Sequence, residues 1–251
     1  MLVDAQLLIA PAIAALYLKD CLLLLQPDEA VLVRGWRGRW RAGFGLLDWR
    51  LRRREPWLCH PFKPWQPVLR LRWDAAAQAP AQAPAVPVDV PPELSFGPWV
   101  CAIWLLLFVA LPVAYFGHLG LRTLVGVVAE LYVFILVALV LVWRRRQALG
   151  LDNAQFGVLA FELLACAPYA ANLVRRLSLH RRVDEDLLAA SRRLLDERGR
   201  AAVDAQCLAR IDDELDWLAE DAARAQALRA ARPRFMRASD GDDRTGPETT
   251  P

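Results

Sequence analysis

Two long apolar runs, 98–115 and 123–143, are joined by the short turn 116–122 and closed by Arg144, Arg145 and Arg146. Each approaches the ~20 apolar residues that an α-helix needs to cross ~30 Å of hydrocarbon. The pattern predicts a transmembrane helical hairpin over 98–143. An earlier run, 5–25, is interrupted only by Gln6, Lys19 and Asp20, and predicts a first membrane helix within 1–25. It lacks a basic flank before the apolar stretch, and Lys19 and Asp20 stand where a cleavage site would lie, so it reads as an uncleaved helix and not as a secretory signal. The run 155–174 carries Glu162, Pro168 and Asn172. Polar groups cost ~2.5 kcal/mol or more at helix-centre depth, which makes 144–182 a marginal membrane or interfacial segment with basic flanks.

Between these runs the period changes. Residues 26–74 alternate apolar and basic positions in short stretches, 30–33, 49–52 and 68–73, separated by Gly43, Gly45 and four prolines. Period-two alternation with such punctuation predicts a small β-rich unit. About fifty residues make a thin core, so the unit is expected to lean on the membrane or on another part of the protein. Residues 75–97, with prolines at 80, 84, 87, 91 and 92, read as an extended linker. In 183–232, Val203, Cys207, Ile211, Leu215 and Leu218 recur at intervals of three and four and form one apolar stripe on amphipathic charged helices, with Gly199 as the expected divider. The tail 233–251 is disordered by composition. The fold class expected is an α-helical integral membrane protein with three or four membrane segments, a small β-rich cytoplasmic insertion and a C-terminal helical extension.

Charge adds an orientation. The 251 residues carry a formal net charge of +3, but residues 26–74 hold eleven Lys or Arg against five acids, and 184–232 hold eight Arg against twelve acids. The hairpin turn carries Arg122 alone, while Arg144, Arg145 and Arg146 follow the second run. Basic residues stay on the cytoplasmic side of short flanking segments, so 26–97 and the C-terminal region are expected in the cytoplasm and the turn outside.

Candidate chemistry is sparse. The five cysteines are scattered without C-x-x-C or zinc-ligand spacing, which argues against a disulfide framework and a metal site. There is no G-x-S-x-G, H-E-x-x-H, P-loop or G-x-G-x-x-G motif. No catalytic residue, cofactor or metal is therefore expected, and the protein reads more as a non-enzyme than as an enzyme. Lys19, Glu130 and Glu162 are the intramembrane charge candidates, since burial in hydrocarbon is costly enough to make such groups functional by default. Depth counting puts Lys19 and Glu162 at one level and Glu130 at another, so an interhelical Lys19–Glu162 pair is expected. Trp36, Arg37, Trp40, Arg41, Trp49, Arg50, Arg52, Trp65 and Trp73 are the membrane-surface candidates, because tryptophan favours the headgroup boundary and arginine the anionic lipid. A tryptophan-rich core is the competing account of the same residues. Nucleic-acid binding also couples stacking to basic residues, but no known motif supports it. The stripe over 203–218 could pair with another helix of the same chain, a second copy or a partner protein.

The stretch Tyr17-Leu18-Lys19-Asp20, the Trp/Arg-rich segment up to Trp73 and the run from Cys166 to Arg176 together resemble bacterial multi-span membrane proteins to which no activity is attached. The resemblance implies a bacterial inner-membrane location and assigns no residue a role. The function expected is an inner-membrane scaffold or accessory protein holding a partner through its cytoplasmic parts. A subunit of an oligomeric transporter or channel and an intramembrane enzyme are the rival readings.

Overall fold

A computed structural model describes residues 5–35, 38–46, 54–74, 92–181, 185–218 and 222–240. Trp36, Arg37, Trp49, Arg50 and Arg52, most of the expected linker and the end of the tail lie outside these residues. The chain forms two compact units. The first gathers Met1–Leu23, Leu58–Leu69 and Pro87–Arg182, and the second Leu24–Trp57, Arg70–Val86 and Val183–Pro251. The β-rich stretch is thus divided, its loop Leu58–Leu69 belonging with the apolar helices.

In the first unit, helix α1 (Ala5–Cys21) ends earlier than the apolar run suggests, and Leu22–Leu25 continues as strand β1. The expected helix over 1–25 is corrected accordingly. Leucine serves helix and strand alike, and pairing of β1 with a second strand, β4 (Glu55–Leu58), decides between them. At ~1.5 Å per residue, α1 is about 26 Å long, and Lys19 and Asp20 fall in its last turn rather than deep within a span.

Two helices joined by a short turn cover the residues of the expected hairpin. A helix over Glu93–Phe116 (24 residues) and a second over Leu121–Arg145 (25 residues) are each long and apolar enough to cross a membrane. The first comprises a 3-10 turn, then α2 (Gly97–Leu105), a π turn at Leu106–Ala110 and α3 (Leu111–Phe116). Pro112 cannot donate to the carbonyl four residues back. The ladder instead widens just before it, with the Leu111 N–H reaching the Leu106 carbonyl. At the turn, Gly117 donates to the Val113 carbonyl at 2.9 Å, and a Cβ there would lie 2.5 Å from that same oxygen. His118 (φ +50°) and Gly120 (φ +88°) complete the reversal into α4 (Leu121–Arg145). Leu131, Ile135, Ala138, Leu139 and Val142 bury one face of α4, the spacing of a helical stripe.

The run 155–174 is not one helix. After a capping box at Asp152 and Gln155, α5 covers Asn153–Ala165 and stops at Cys166; α6 (Ala167–Ala170) and α7 (Leu173–His180) follow. Pro168 explains the break, since it has no N–H to give the Leu164 carbonyl and its ring would clash with it, and the chain leaves helical geometry at Cys166 (φ −140°, ψ 89°). Thirteen residues give α5 only about 20 Å.

The second unit holds a three-stranded sheet in the order β3-β2-β5, from β2 (Glu29–Arg34), β3 (Trp40–Gly43) and β5 (Val68–Arg72). The antiparallel register sets Val31 opposite Gly43 and Arg34 opposite Trp40. The chain passes between the units inside β1, β4 and β5. In β5, Leu71 is buried between exposed Arg70 and Arg72, the alternation seen in the sequence. Helices α8 (Leu187–Leu194), α9 (Glu197–Trp217) and α10 (Ala223–Asp240) supply the rest of this core. Gly199 does not divide the helices. The break falls at Leu195, and Asp196 caps α9 by accepting from the Gly199 N–H at 2.9 Å. The expected tail 233–251 begins as helix instead, because α10 runs on to Asp240 and buries Phe235; 241–251 lie outside the described residues.

Candidate functional site

Two arginine nodes, one in each unit, hold buried polar groups from distant parts of the chain. In the first, Arg175 and Arg176 of α7 point to different partners. Arg175 is 2% exposed. Its Nη1 donates to Asn172 Oδ1 at 2.6 Å and meets Cys21 Sγ at 2.9 Å, while Nη2 donates to the carbonyls of His60 and of Lys63, the latter at 3.1 Å. One guanidinium thereby ties α1, the loop 60–63 and α7 together through neutral acceptors. Tyr17 adds a hydrogen bond from its hydroxyl to the Pro61 carbonyl.

Arg176 holds two carboxylates. Its Nε and Nη2 grip both oxygens of Asp20 at 2.9 Å each, its Nη1 bonds Glu162, and Tyr169 lies under the guanidinium with its ring centroid 4.2 Å away. Burial opposes the charge, yet the hydrogen bonds to Asp20 and Glu162 outweigh it and hold Arg176 above its ordinary value. The interhelical ion pair exists, but not with the expected partner. Glu162 pairs with Arg176, and Lys19, one residue from Asp20, is exposed. Successive helical residues point ~100° apart, and α1 turns Asp20 to the node and Lys19 away from it. Glu130 is exposed on α4 and does not join the cluster.

In the second unit, Arg210 of α9 (3% exposed) meets Glu55 of β4 (0%) at 2.6 Å. Arg210 also donates to the Gly45 carbonyl at 2.8 Å and to Gln206 Oε1 at 3.0 Å, and its guanidinium lies 4.6 Å from the Phe44 ring centroid. Gly45 is required by the close approach. A Cβ there would fall 2.2 Å from Glu55 Cβ and 3.0 Å from the Glu55 carbonyl oxygen. The β-rich stretch therefore leans on a helix of its own chain, fastened by a desolvated ion pair.

The expected membrane-surface residues separate. Trp40 and Trp73 are 8% and 6% exposed, which corrects their assignment: they are core residues. Trp65 is half-buried and belongs to the first unit, and Arg41 is exposed. Of the stripe, Val203, Cys207 and Ile211 are buried at 1% exposure or less, while Leu215 and Leu218 are half-buried. Sequence reasoning missed Asp20, Arg175, Arg176, Glu55 and Arg210 as partners. The only local signal was the adjacency of Asn172, Arg175 and Arg176 on one helical turn.

Chemically these nodes hold position. Among the described residues, no group of three or more His, Cys, Asp or Glu could hold a metal ion, and neither node sets a nucleophile beside a base. Burial also pushes the Cys207 thiol up to about 12, so at pH 8 roughly one molecule in ten thousand carries the reactive thiolate. Iodoacetamide is expected to leave Cys207 unmodified in the native protein and to label it in denaturant, as read by peptide mass spectrometry. Rapid labelling of the native chain would show that α9 is not covered.

No family model matches the chain, and neither a curated protein nor a solved structure matches it.

Proposed function

We propose that this protein is a multi-pass inner-membrane scaffold or accessory protein, without catalytic activity, in which the helical hairpin anchors a water-exposed α/β unit that holds a partner. One observation supports the anchoring above all. In the most apolar 18 residues of Glu93–Phe116 and Leu121–Arg145, only 22% and 28% are buried. The core helix of a water-soluble domain would be mostly covered, whereas these expose Leu105, Val109 and Val113 on one rod and Val125, Val133, Leu136 and Val140 on the other. So much contiguous apolar surface is stable against lipid and unstable in water. For the partner-holding part, Trp217 at the end of α9 is 79% exposed, and tryptophan is the side chain most enriched among interface residues that dominate binding.

The polar groups that an intramembrane enzyme would need are occupied in joining α1, α5 and α7, which favours the scaffold. One observation favours the transporter reading. Glu130 is exposed in the middle of an apolar helix, where an oligomer could shelter it.

Reporter fusions test the anchoring. Alkaline phosphatase joined at residue 118 is expected to be active, and fusions at 74 and 230 inactive, with the full chain resisting extraction by alkaline carbonate. Release by carbonate would overturn the membrane anchor, and activity at 230 would overturn the cytoplasmic C-terminal region. Ion flux in proteoliposomes that is lost in Glu130→Gln would replace the scaffold by the transporter.

A further inference from the structure

We propose that Trp143, Arg144, Arg145 and Arg146 form a collar that binds the headgroup of an anionic phospholipid where α4 ends. This inference rests on the membrane anchoring proposed above. Three guanidiniums occupy consecutive positions, and among the described residues none of them forms an ion pair. The collar is held in shape by its surroundings. Arg145 hydrogen-bonds Ser95 Oγ, which ties it to the start of the preceding rod. Arg146 stacks over the Trp143 ring, 3.8 Å from its centroid, and Trp143 packs on Phe156 of α5 with centroids 4.9 Å apart. The Arg146 carbonyl accepts from the Leu151 N–H at 2.9 Å, and Gly150 (φ +68°) turns the chain toward α5. The nearest acid in sequence, Asp152, is engaged in capping α5 through the Gln155 N–H at 2.7 Å.

What remains uncovered is cationic at one end and apolar along the other. Arg144 is exposed, Trp143 is 41% exposed, and Val140 and Leu136 continue the same helical face at 57% and 50%. A guanidinium fork matches the oxygens of a phosphodiester, and a tryptophan ring sits well at headgroup level. Free phosphate or a nucleic acid would satisfy the arginines and leave Val140 and Leu136 in water. A phospholipid satisfies both with one molecule. Cations at a helix C-terminus also complement its dipole, but that role is indifferent to lipid headgroup, so lipid choice is the informative readout.

The test is native mass spectrometry of the full-length protein released from bilayers of phosphatidylcholine containing a minor fraction of phosphatidylglycerol with matched acyl chains. The wild type is expected to retain phosphatidylglycerol well above its bulk fraction. Retention should drop roughly fivefold for each arginine removed in the series ending at Arg144→Gln/Arg145→Gln/Arg146→Gln, and Arg122→Gln, at the opposite end of α4, should change nothing. Because the triple variant could insert poorly, a measurement on the wild type stands beside it. Enrichment should weaken as salt rises from about 50 to about 500 mM during incorporation, since headgroup contacts at the surface are screened. Soluble glycerol phosphate should not compete. Bulk lipid composition on the wild type, salt-independent enrichment, or equal retention by the triple variant would overturn the collar. Failure of the wild type to enter either bilayer would instead overturn the membrane anchoring on which it rests.

Discussion

Arg210→Met is expected to destabilise the second unit by about 3–5 kcal/mol, the scale for breaking a buried ion pair from one side. Glu55 is fully buried, and without Arg210 its carboxylate at 2.6 Å loses the cation that compensates its desolvation. The Gly45 carbonyl loses its donor at the same time. Hydrogen exchange of the full-length protein in mild detergent is the measurement. Amides of β2, β3 and α9 should exchange about a hundredfold to several thousandfold faster, while those of α4 stay unchanged. Arg210→Lys should recover little, since an ammonium lacks the planar fork that reaches Glu55, Gly45 and Gln206 together. The double variant Glu55→Leu/Arg210→Met should recover most of the loss, because removing both charges removes the uncompensated one. A single variant indistinguishable from wild type would mean that the pair is not desolvated as described.

The second large effect is expected at Arg176. Arg176→Leu leaves Asp20 and Glu162 in each other's field without their shared cation, and removes the stacking on Tyr169. The three side chains are 21%, 17% and 41% exposed, between the surface and buried cases, so a loss of about 1–3 kcal/mol is expected. The yield of folded protein in the membrane fraction, and the protease sensitivity of α1 within it, report the effect. Lys19→Ala should lie within about 0.5 kcal/mol of wild type. Lys19→Glu combined with Glu162→Lys should not rescue either single change, since the new lysine would face Arg176. Rescue by that double swap would return Glu162 to Lys19 and reject the arginine clamp.

These two sites mark where sequence reasoning reached and where it ended. The two helices of the hairpin were legible because an unbroken apolar run of that length suits a helix and is too long for a strand, and the pattern is present in any window over 98–143. The alternation of Leu71 between Arg70 and Arg72 was legible for the same kind of reason: one face of β5 is buried, and side chains alternate along a strand. Boundaries were less so. Leu22–Leu25 reads as more helix until its strand partner is known, and Asp196 outcompetes Gly199 as the divider because a side-chain cap stops a helix more specifically than a glycine inside its first turn.

The placement of the tryptophans depended on a core that no local window contains. Trp40 and Trp73 suit a headgroup surface and a packed interior equally well by type, and the burial of Val203, Cys207 and Ile211 in the same unit shows that helices far along the chain supply that interior. The ion pairs are the extreme case. Arg176 is 156 residues from Asp20, and Arg210 is 155 from Glu55. The sequence by itself determined which segments are continuously apolar and which alternate, because those are properties of one helix or one strand taken alone. Which carboxylate each arginine neutralises was decided only by the tertiary structure, because pairing energy depends on the distance and desolvation of two groups that the chain brings together from opposite ends.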